Sequence, residues 1–485
     1  MVADLLFNPV TLSVIVMVTL CLLKFNIIIS VIIATLFAGF ISGPTGHNEM
    51  PLSATVGQYI DTGVPGIMQA FIGMPANGAI VNAGLVPPSG MAGMNNIALA
   101  YILLGALAYA LQASGLATRF GNSLERVFGK NGKIFLIILA IVASFSQNLI
   151  PIHIALIPIL VPPLLEMMNK LKIDRRAAAC SIAFGLKAPY ILLPFGFGLI
   201  FQNIVGTNIT NAGLEIQGAI WMYMFPLFFA MVVGLFIAIF VSYRKPREYE
   251  DKPLLVAAEV DPEDLSGTFK LKHWGALLGA IATFGVQVWA NWAFEGSPLW
   301  ALSLGATIAL IIMFFFGTLS PRREKLNESI KGGLGLMGFI AFIMLVAAGY
   351  ASVLTATGGI STLVNAALYL AGDNIVMALI AMQLIGLLIT MGIGTSFGTI
   401  PLIAAVFVPF LMGMGASPAA IVMTVAAAGV TGDAGMPQSD TALGPTAGLN
   451  ADGQHDHIND TCLPTFLHFN LPIKIIGIIA AVIMW

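Results

Sequence analysis

Long apolar segments dominate this chain and decide what it can fold into. Of its 485 residues, 58% are hydrophobic and 9% are charged, a composition far outside that of soluble globular domains. About ten windows are long enough to cross roughly 30 Å of hydrocarbon as α-helices. The sequence therefore predicts an all-α, polytopic integral membrane protein that has the lipid bilayer as its immediate partner.

Several apolar windows are interrupted by glycine, proline and polar residues. The two main interruptions are Phe184–Gly198 and a segment that begins at Thr431. Backbone that leaves the helical conformation inside a membrane is tolerated only where protein or a water-filled cavity satisfies its hydrogen bonds. We therefore expect discontinuous helices at both places.

The distribution of charge excludes one function and orients the chain. Basic residues fall in short clusters rather than in a stripe, so nucleic-acid binding has no support. By the positive-inside rule these clusters face the cytoplasm, whereas Gly43–Asn96 and Gln202–Gln217 contain no lysine or arginine and are expected outside. The prediction is a cytoplasmic (inner) membrane protein with both termini outside. The four basic clusters are Arg119–Lys133, Lys170–Arg176, Arg244–Lys272 and Arg322–Lys331.

The charge pattern also predicts an internal repeat. Residues 244–272 read as a cytoplasmic linker between residues 1–243 and residues 273–485. In the first half, the loop before the third span lacks basic residues and the loop after it is basic, whereas the second half has the reverse order. We therefore predict two inverted-topology repeats, each with about five spans and a re-entrant hairpin, an arrangement typical of secondary transporters.

Each half contains one apolar segment that we expect to form a re-entrant hairpin. Lys133–Asn169 is too long for one span, yet both its flanks are basic, so it must return to the cytoplasmic side at a turn within Ser146–His153. Its counterpart, Asn374–Met414, turns within Gly392–Pro401. Polar residues at such turns leave helix ends free to meet an ion. The candidate tip residues are Ser146, Gln147, Asn148, Thr395 and Ser396.

The segment Gly432–Asp460 carries five aspartates and no lysine or arginine. Carboxylates close to hydrocarbon are costly, and those that persist usually face a cavity, an ion or a proton path. A bound cation would supply the missing positive charge, although helix capping is an alternative use for an aspartate beside glycine or proline. The candidate cation or proton ligands are the carboxylates of Asp433 and Asp440 and the hydroxyls of Thr431, Ser439 and Thr441.

The later part of this segment, NADGQHDHIND, has three interpretations. It is a solvated loop, a proton antenna, because histidine titrates near neutral pH, or a transition-metal site, because imidazole and carboxylate both ligate zinc and manganese. The residues concerned are Asp452, His455, Asp456, His457 and Asp460.

Lys187 lies in the interruption Phe184–Gly198, at the place that corresponds to Gln438–Asp440 in the second half. Snorkelling to an interface is one explanation of such a lysine. Apolar residues separate it from the nearest basic loop, however, so we predict a charge pair with an aspartate across the repeat interface, or contact with a carboxylate substrate.

The sequence TGDAGMPQSDTALGP, which starts at Thr431, resembles the GD, SD and T pattern of the NhaC-type Na+/H+ antiporter family within the ion transporter superfamily. The following NADGQHDHIND and TFLHFN resemble a subgroup labelled as amino-acid permeases or antiporters. This resemblance implies a scaffold built from the leading spans of each repeat, a moving transport domain built from residues 133–200 and 374–462, and Na+ or proton coupling.

The leading hypothesis is a Na+/H+ antiporter-like secondary transporter in which Asp433 and Asp440 bind Na+ or a proton in competition. Na+ is then the coupling ion, and no cofactor is expected. An alternative is Na+- or H+-coupled uptake of an amino acid, for example histidine, or of a small carboxylate. A remote alternative, an intramembrane metal hydrolase, lacks an HExxH helix, so no enzyme is expected. A homodimer is one assembly that the sequence allows.

Overall fold

The architecture comes from a computed structural model, in which every described residue lies in a helix, a turn or an irregular connection and none in a strand. The all-α prediction is confirmed. The expected outside loop Gly43–Asn96 falls largely outside the described residues, as does the middle of the predicted linker. The described residues are 7–42, 67–68, 71–72, 90–116, 131–148, 153–194, 197–216, 219–255, 268–293, 300–319, 323–372 and 374–485.

In its described part, the first half of the chain has a 3-10 turn at Gly90–Met94 and eight α-helices, which we number in chain order. They are α1 (Pro9–Leu22), α2 (Ile27–Ser42), α3 (Asn95–Ala113), α4 (Gly132–Asn148), α5 (His153–Lys170), α6 (Arg175–Leu192), α7 (Phe197–Asn211) and α8 (Ile220–Ile237).

The second half contributes ten described helices, of which the last combines α-helical and π-helical turns. They are α9 (Leu271–Ala293), α10 (Trp300–Phe315), α11 (Arg323–Gly333), α12 (Phe339–Ala356), α13 (Gly359–Ala371), α14 (Ile375–Ile393), α15 (Ser396–Gly413), α16 (Pro418–Val430), α17 (Asp440–Leu449) and α18 (His457–Ile483).

Among the described residues, five helical segments are long and apolar enough to cross a membrane, judged by length and composition. Shorter apolar helices lie between them, because polar turns and capping residues divide the apolar windows. At the start of α16, for example, Ser417 caps the helix and Pro418 occupies its first turn. The five long segments are Asn95–Ala113, Ile220–Ser242, Leu326–Ala356, Ile375–Ile393 and His457–Ile483.

The two predicted interruptions are real, but the first is shorter than expected. Helix α6 continues through Pro189 to Leu192, so the break before α7 begins at Leu193. Lys187 therefore lies on a helix and not in unwound backbone, which corrects the prediction. A proline removes only one helix hydrogen bond, and the buried neighbours of α6 hold it in place. The second break, residues 431–439, separates α16 from α17 as predicted.

Helix α16 lies at the centre of the protein. Every residue from Ala420 to Val430 is buried, and α16 packs against α8, α14, α15 and α18. A helix that is apolar all round must be surrounded by protein or lipid, and α16 is surrounded by protein. Its carboxyl end delivers the second break to the interior, where polar groups must find protein partners.

The start of the predicted linker contacts both halves of the chain. The Arg247 amide donates to the Lys172 carbonyl at 3.0 Å, and the Arg247 guanidinium donates to Asp460 at 2.9 Å. Further along, the Leu255 amide donates to the Ala451 carbonyl at 2.7 Å. The described part of the linker therefore joins the loop between α5 and α6 to the region between α17 and α18.

Candidate functional site

A buried carboxylate occupies the centre of the second break. Asp433 is 6% exposed, and its side chain accepts hydrogen bonds from the Tyr190 hydroxyl and from Ser396 Oγ, the latter at 2.5 Å. Tyr190 comes from the last turn of α6 and Ser396 from the first residue of α15. Asp433, in the second break, thus contacts the end of the helix that precedes the first break and the tip of the second predicted hairpin.

The amino terminus of α15 points at this carboxylate. The Ser396 amide donates to Asp433 Oδ1 at 3.0 Å, and an unsatisfied helix amide carries partial positive charge that favours an anion. Gly394, which ends α14 with φ of +76°, makes the tight turn between the two helices. The predicted turn Gly392–Pro401 is confirmed in position, and Ser396 is at the site.

Of the other predicted tip residues, one lies in the turn between α14 and α15, and three belong to the first predicted hairpin. Thr395 lies in the turn itself, directly before Ser396. The side chains of Ser146, Gln147 and Asn148 lie outside the described part of the chain, although the backbone of α4 includes all three. Whether either helix pair re-enters the membrane from one side stays a prediction.

Lys187 is fully buried, as predicted, but its partner is an amide. Its Nζ donates to Asn470 Oδ1 at 3.3 Å, and Asn470 in turn donates to the Ala434 carbonyl at 2.5 Å. Among the described residues no carboxylate lies within ion-pair distance of Lys187, so the predicted direct charge pair is wrong. The amide of Asn470 lies where a carboxylate was expected, and Asp433 acts on Lys187 only through its longer-range charge.

The remaining predicted cation ligands surround the start of α17. Asp440 is the first residue of this helix, and its Oδ1 accepts from Thr441 Oγ1 at 3.3 Å. Ser439 caps α17 through the Thr441 amide at 3.3 Å. The Thr431 hydroxyl, by contrast, donates to the Ala428 carbonyl at 3.1 Å. Capping and ion binding are both open to the Ser439 and Asp440 oxygens.

The later aspartates are engaged by basic residues from elsewhere in the chain. Arg175, which is fully buried, donates from Nη1 and Nη2 to the two oxygens of Asp452, both at 2.6 Å. Asp460 accepts from Arg247, and Asp456 caps the start of α18 through the Asn459 amide at 2.7 Å. In the described residues no three histidine, cysteine, aspartate or glutamate side chains form a group that could hold a metal ion, so the structure adds no support to the metal-site interpretation.

Both histidines of the segment are buried or half-buried, which excludes a simple solvated loop for them. His455 is 2% exposed, and its Nε2 lies 2.7 Å from Thr461 Oγ1. Burial lowers the pKa of His455 to about 4, opposed by the negative charge of Asp460 and reinforced by the positive charge of Arg175. His455 is therefore neutral at physiological pH.

A cavity of about 390 Å³ lies beside this segment. Its wall includes residues from the α1–α2 turn, from the start of α12, and from α17 and α18. The polar side chains in the wall belong to Lys24, Asn26, Thr446, Asn450, Asp456 and His457. The volume falls in the range of small-molecule sites.

Comparison with known proteins identifies the family of this architecture. A family model described as the Na+/H+ antiporter family matches residues 181–482, and a second, described as the Na+-H+ antiporter family, matches residues 8–127. The chain belongs to the Na+/H+ antiporter family. It is therefore a secondary transporter and not an enzyme. The resemblance of the segment that begins at Thr431 to this family is confirmed.

Two relatives and one solved structure illustrate the similarity of this antiporter-family protein to others. It is 43% identical over 406 residues, 81% of this chain and 89% of the other, to the Bacillus subtilis protein named "Putative amino acid transporter YuiF". An uncharacterized membrane protein of Vibrio parahaemolyticus is 40% identical over 98% of this chain and 100% of its own. The YdaH transporter of Alcanivorax borkumensis covers 84% of this chain and 90% of its own at 15% identity and a TM-score of 0.41.

Sequence reasoning missed three polar residues that the antiporter-family protein brings to its site. Tyr190 contacts Asp433, and Asn470 contacts Lys187. Lys474, in the last helix, donates to Gln383 Oε1 at 3.2 Å and lies 3.4 Å from the carbonyls that end α16. The rule that drew attention to Lys187, a lysine inside an apolar span, applies equally to Lys474 and would have found it.

Proposed function

We propose that this protein is a cation-coupled secondary transporter in which Asp433 and Asp440 bind Na+ or a proton in competition. The observation that carries the proposal is the buried Asp433 carboxylate, held by Tyr190, Ser396 and the amino terminus of α15 at a break in the membrane helices. Carboxylate, hydroxyl and carbonyl oxygens are the ligands that hard cations such as Na+ prefer.

Competition at one carboxylate supplies the coupling. A carboxylate cannot hold a proton and Na+ at the same time, so binding of one releases the other, and the protein can exchange two gradients if each form favours a different conformation. Asp440, at the start of α17, lies close enough for its charge to act on Tyr190 and on Tyr101 of α3. This charge effect on a residue of α3 supports a role at the boundary between the leading spans and the helices of the break.

Two lysines support a link between ion binding and helix position. Lys187 of α6 and the partly buried Lys474 of α18 flank the second break, and both donate to amide or carbonyl oxygens in the described residues. A buried ammonium group depends strongly on nearby negative charge. Neutralising Asp433 with a proton withdraws such charge from Lys187, so we expect the packing of α6 against α18 to respond.

The experiment is a flux assay on the purified protein in liposomes with imposed Na+ and pH gradients. We expect Asp433→Asn and Asp440→Asn to reduce Na+-dependent proton movement by at least roughly tenfold, because a neutral amide cannot exchange a proton for Na+. Asp251→Asn is the matched control, since Asp251 is an exposed linker residue whose side chain accepts from Asn169. Wild-type flux in both site variants would refute the assignment.

Coupled uptake of an amino acid or small carboxylate is the second candidate, and two observations favour it. One is the cavity, whose wall offers the Lys24 ammonium for a carboxylate and the Asp456 carboxylate for an amine. The other is the name of the Bacillus subtilis relative. Adding amino acids such as histidine to the same liposomes separates the candidates: solute accumulation that needs the ion gradient, and that Lys24→Gln abolishes, would establish uptake.

A further inference from the structure

The side-chain amide of Gln438 has a hydrogen-bond partner at one end only. Gln438 lies in the second break and is 1% exposed. Its Nε2 donates to the carbonyl of Met391, in the last turn of α14. Its Oε1 is buried and has no hydrogen-bond partner among the described residues. Since the great majority of buried polar atoms in proteins have a partner, this oxygen needs a physical explanation.

The Met391 carbonyl fixes which end of the amide is unpartnered. A carbonyl oxygen only accepts hydrogen bonds, so the NH2 group of Gln438 must face Met391. The opposite orientation would place two acceptor oxygens against each other and would leave a carbonyl at the end of α14 without a donor. The free group is therefore an oxygen, which can accept a hydrogen bond or bind a cation.

Gln438 and Asp433 lie against the same turn, the one between α14 and α15. A Cβ added at Gly394 would be 2.7 Å from Gln438 Cγ, and two residues later the Ser396 amide donates to Asp433 Oδ1 at 3.0 Å. Two residues of chain span roughly 7 Å at most. The turn therefore has the neutral amide at its start and the carboxylate at its end.

The carboxyl ends of two helices meet beside this turn. Helices α14 and α16 both end here, and a Cβ added at Gly432, just after α16, would be 2.7 Å from Thr390 Cγ2, in the last turn of α14. Such ends carry partial negative charge, which stabilises a cation. The amino end of α15 has the opposite sign, but its first amide is already bonded to Asp433. The surroundings of Gln438 therefore favour a cation over an anion.

An amide oxygen treats Na+ and the proton differently. Side-chain amide oxygens of asparagine and glutamine are among the ligands of hard cations, whereas a neutral amide has no proton-binding equilibrium near neutral pH. A carboxylate binds both. We propose that Gln438 Oε1 is a ligand of the transported Na+ and sets the affinity for Na+ separately from the affinity for the proton.

This inference rests on the proposed function, in which Na+ and the proton compete at Asp433. With the carboxylate alone, any change in its surroundings alters the binding of both ions. A second ligand that only Na+ uses moves the balance between them, and thereby the range of Na+ concentration over which exchange operates. Gln438 is thus the residue of the break that we expect to determine preference between the two ions.

The first test removes the oxygen. Gln438→Met keeps an unbranched side chain of similar length, and we expect it to raise the Na+ concentration for half-maximal flux in liposomes at least roughly tenfold. Na+-dependent thermal stabilisation should need the same increase, whereas flux at saturating Na+ is retained. Gln202→Met is the matched control, because Gln202 is a buried glutamine whose Nε2 also donates to a carbonyl at a helix end, that of Leu193 at 3.2 Å.

The second test separates ligation from anchoring of α14. Gln438→Glu offers an oxygen to Na+ whether or not it is protonated, so it should restore wild-type Na+ affinity at high pH. Because this oxygen can also take a proton, Na+ affinity should fall more steeply with decreasing pH than in the wild-type protein, where Asp433 and Asp440 are the competing carboxylates. A residue that only anchors the helix would not add a competing proton.

Three results would overturn the inference. They are wild-type Na+ affinity in Gln438→Met, which is also what a bound water at Oε1 would give; an equal loss in Gln202→Met, which would indicate general damage; and a loss in Gln438→Met without rescue by Gln438→Glu. Should Gln438→Met fail to fold, Gln438→Leu removes the same groups with a different shape. Asp433→Asn tests the proposed function separately, since it leaves Gln438 in place.

Discussion

At the scale of single residues, the protein keeps buried charge in the interior by giving each group polar partners. Arg175 is fully buried, and its guanidinium contacts both oxygens of Asp452 and also the Leu449 carbonyl at 3.0 Å. The centre of the Tyr249 ring lies 4.3 Å from the guanidinium carbon of Arg175. Such a pair does not by itself indicate stability, but removal of one partner leaves an uncompensated buried charge.

The replacement Asp452→Ala should therefore destabilise the protein strongly. Breaking a buried ion pair typically costs about 3–5 kcal/mol, because Arg175 would keep its charge with only neutral acceptors. Thermal unfolding of the detergent-solubilised protein measures the effect. Glu166→Ala is the control: its pair with Lys170 is exposed at 72% and 57% of the two side chains, and such pairs contribute about 1 kcal/mol or less. Equal shifts for the two variants would contradict the argument.

Residue-level prediction from the sequence succeeded where a single rule was sufficient. A lysine or aspartate inside an apolar segment is costly, so Lys187 and Asp433 stood out, and both are buried. Their partners could not be predicted, because Tyr190, Ser396 and Asn470 are unremarkable residue types in a membrane helix. Only the packing of α6, α15 and α18 brings these side chains to the charged groups.

At the scale of elements, the site is made by helix ends that meet inside the protein. The turn between α14 and α15 must be tight enough to aim the Ser396 amide at Asp433, and Gly394 allows this with its positive φ. A side chain at this position would also meet Gln438 of the second break, whose Cγ lies 2.7 Å from the position of an added Cβ. The turn between α14 and α15 and the second break are thus in direct contact.

We predict that Gly394→Ala destabilises the protein by about 1–3 kcal/mol and lowers ion-coupled flux. Backbone strain at positive φ contributes about 1 kcal/mol or more, and the contact with Gln438 adds to it. Gly213→Ala is the control, because Gly213 has φ of +100° but no atom within 4 Å of an added Cβ, so it reports backbone strain alone. The prediction fails if both variants lose the same stability and both keep full flux.

The elements show why helix positions were easier to predict than helix ends. Gly and Pro marked the turn Gly392–Pro401 and the break after Val430 correctly, since both need backbone that few other residues adopt. Pro189 was misleading, because α6 continues past it to Leu192. A proline inside a helix that is buried on all sides loses a hydrogen bond but keeps its packing, and packing is not visible in a local sequence pattern.

At the scale of the whole molecule, stability should depend on pH through His455. The pKa of this side chain is about 4 in the folded protein and near 6.5 in an unfolded chain. Between these values the unfolded chain binds more protons, so stability is fully present above about pH 6.5 and falls as the pH drops toward 4. The full effect is on the order of 3 kcal/mol.

Melting temperatures between pH 4 and pH 7.5 test this prediction. We expect the wild-type protein to lose stability across this range, and we expect His455→Gln, which cannot titrate, to show a shallower dependence. Burial raises the pKa of Asp452 but the hydrogen bonds and charge of Arg175 lower it by more, so this pKa lies below its usual value. A carboxylate of this kind loses its contribution to stability mainly at the acid end of the range. An identical slope in His455→Gln would assign the dependence to other groups.

The contacts of Arg247 have a mechanical consequence for transport. One residue of the linker binds the Lys172 carbonyl with its amide and the Asp460 carboxylate with its guanidinium, so the turn between α5 and α6 is joined to the first turn of α18. If one half of the chain slid past the other here, the hydrogen bonds of Arg247 to Lys172 and to Asp460 could not both be kept. Displacement during a transport cycle is therefore more easily accommodated around the cavity, where α1, α2 and α12 face α17 and α18 across open space.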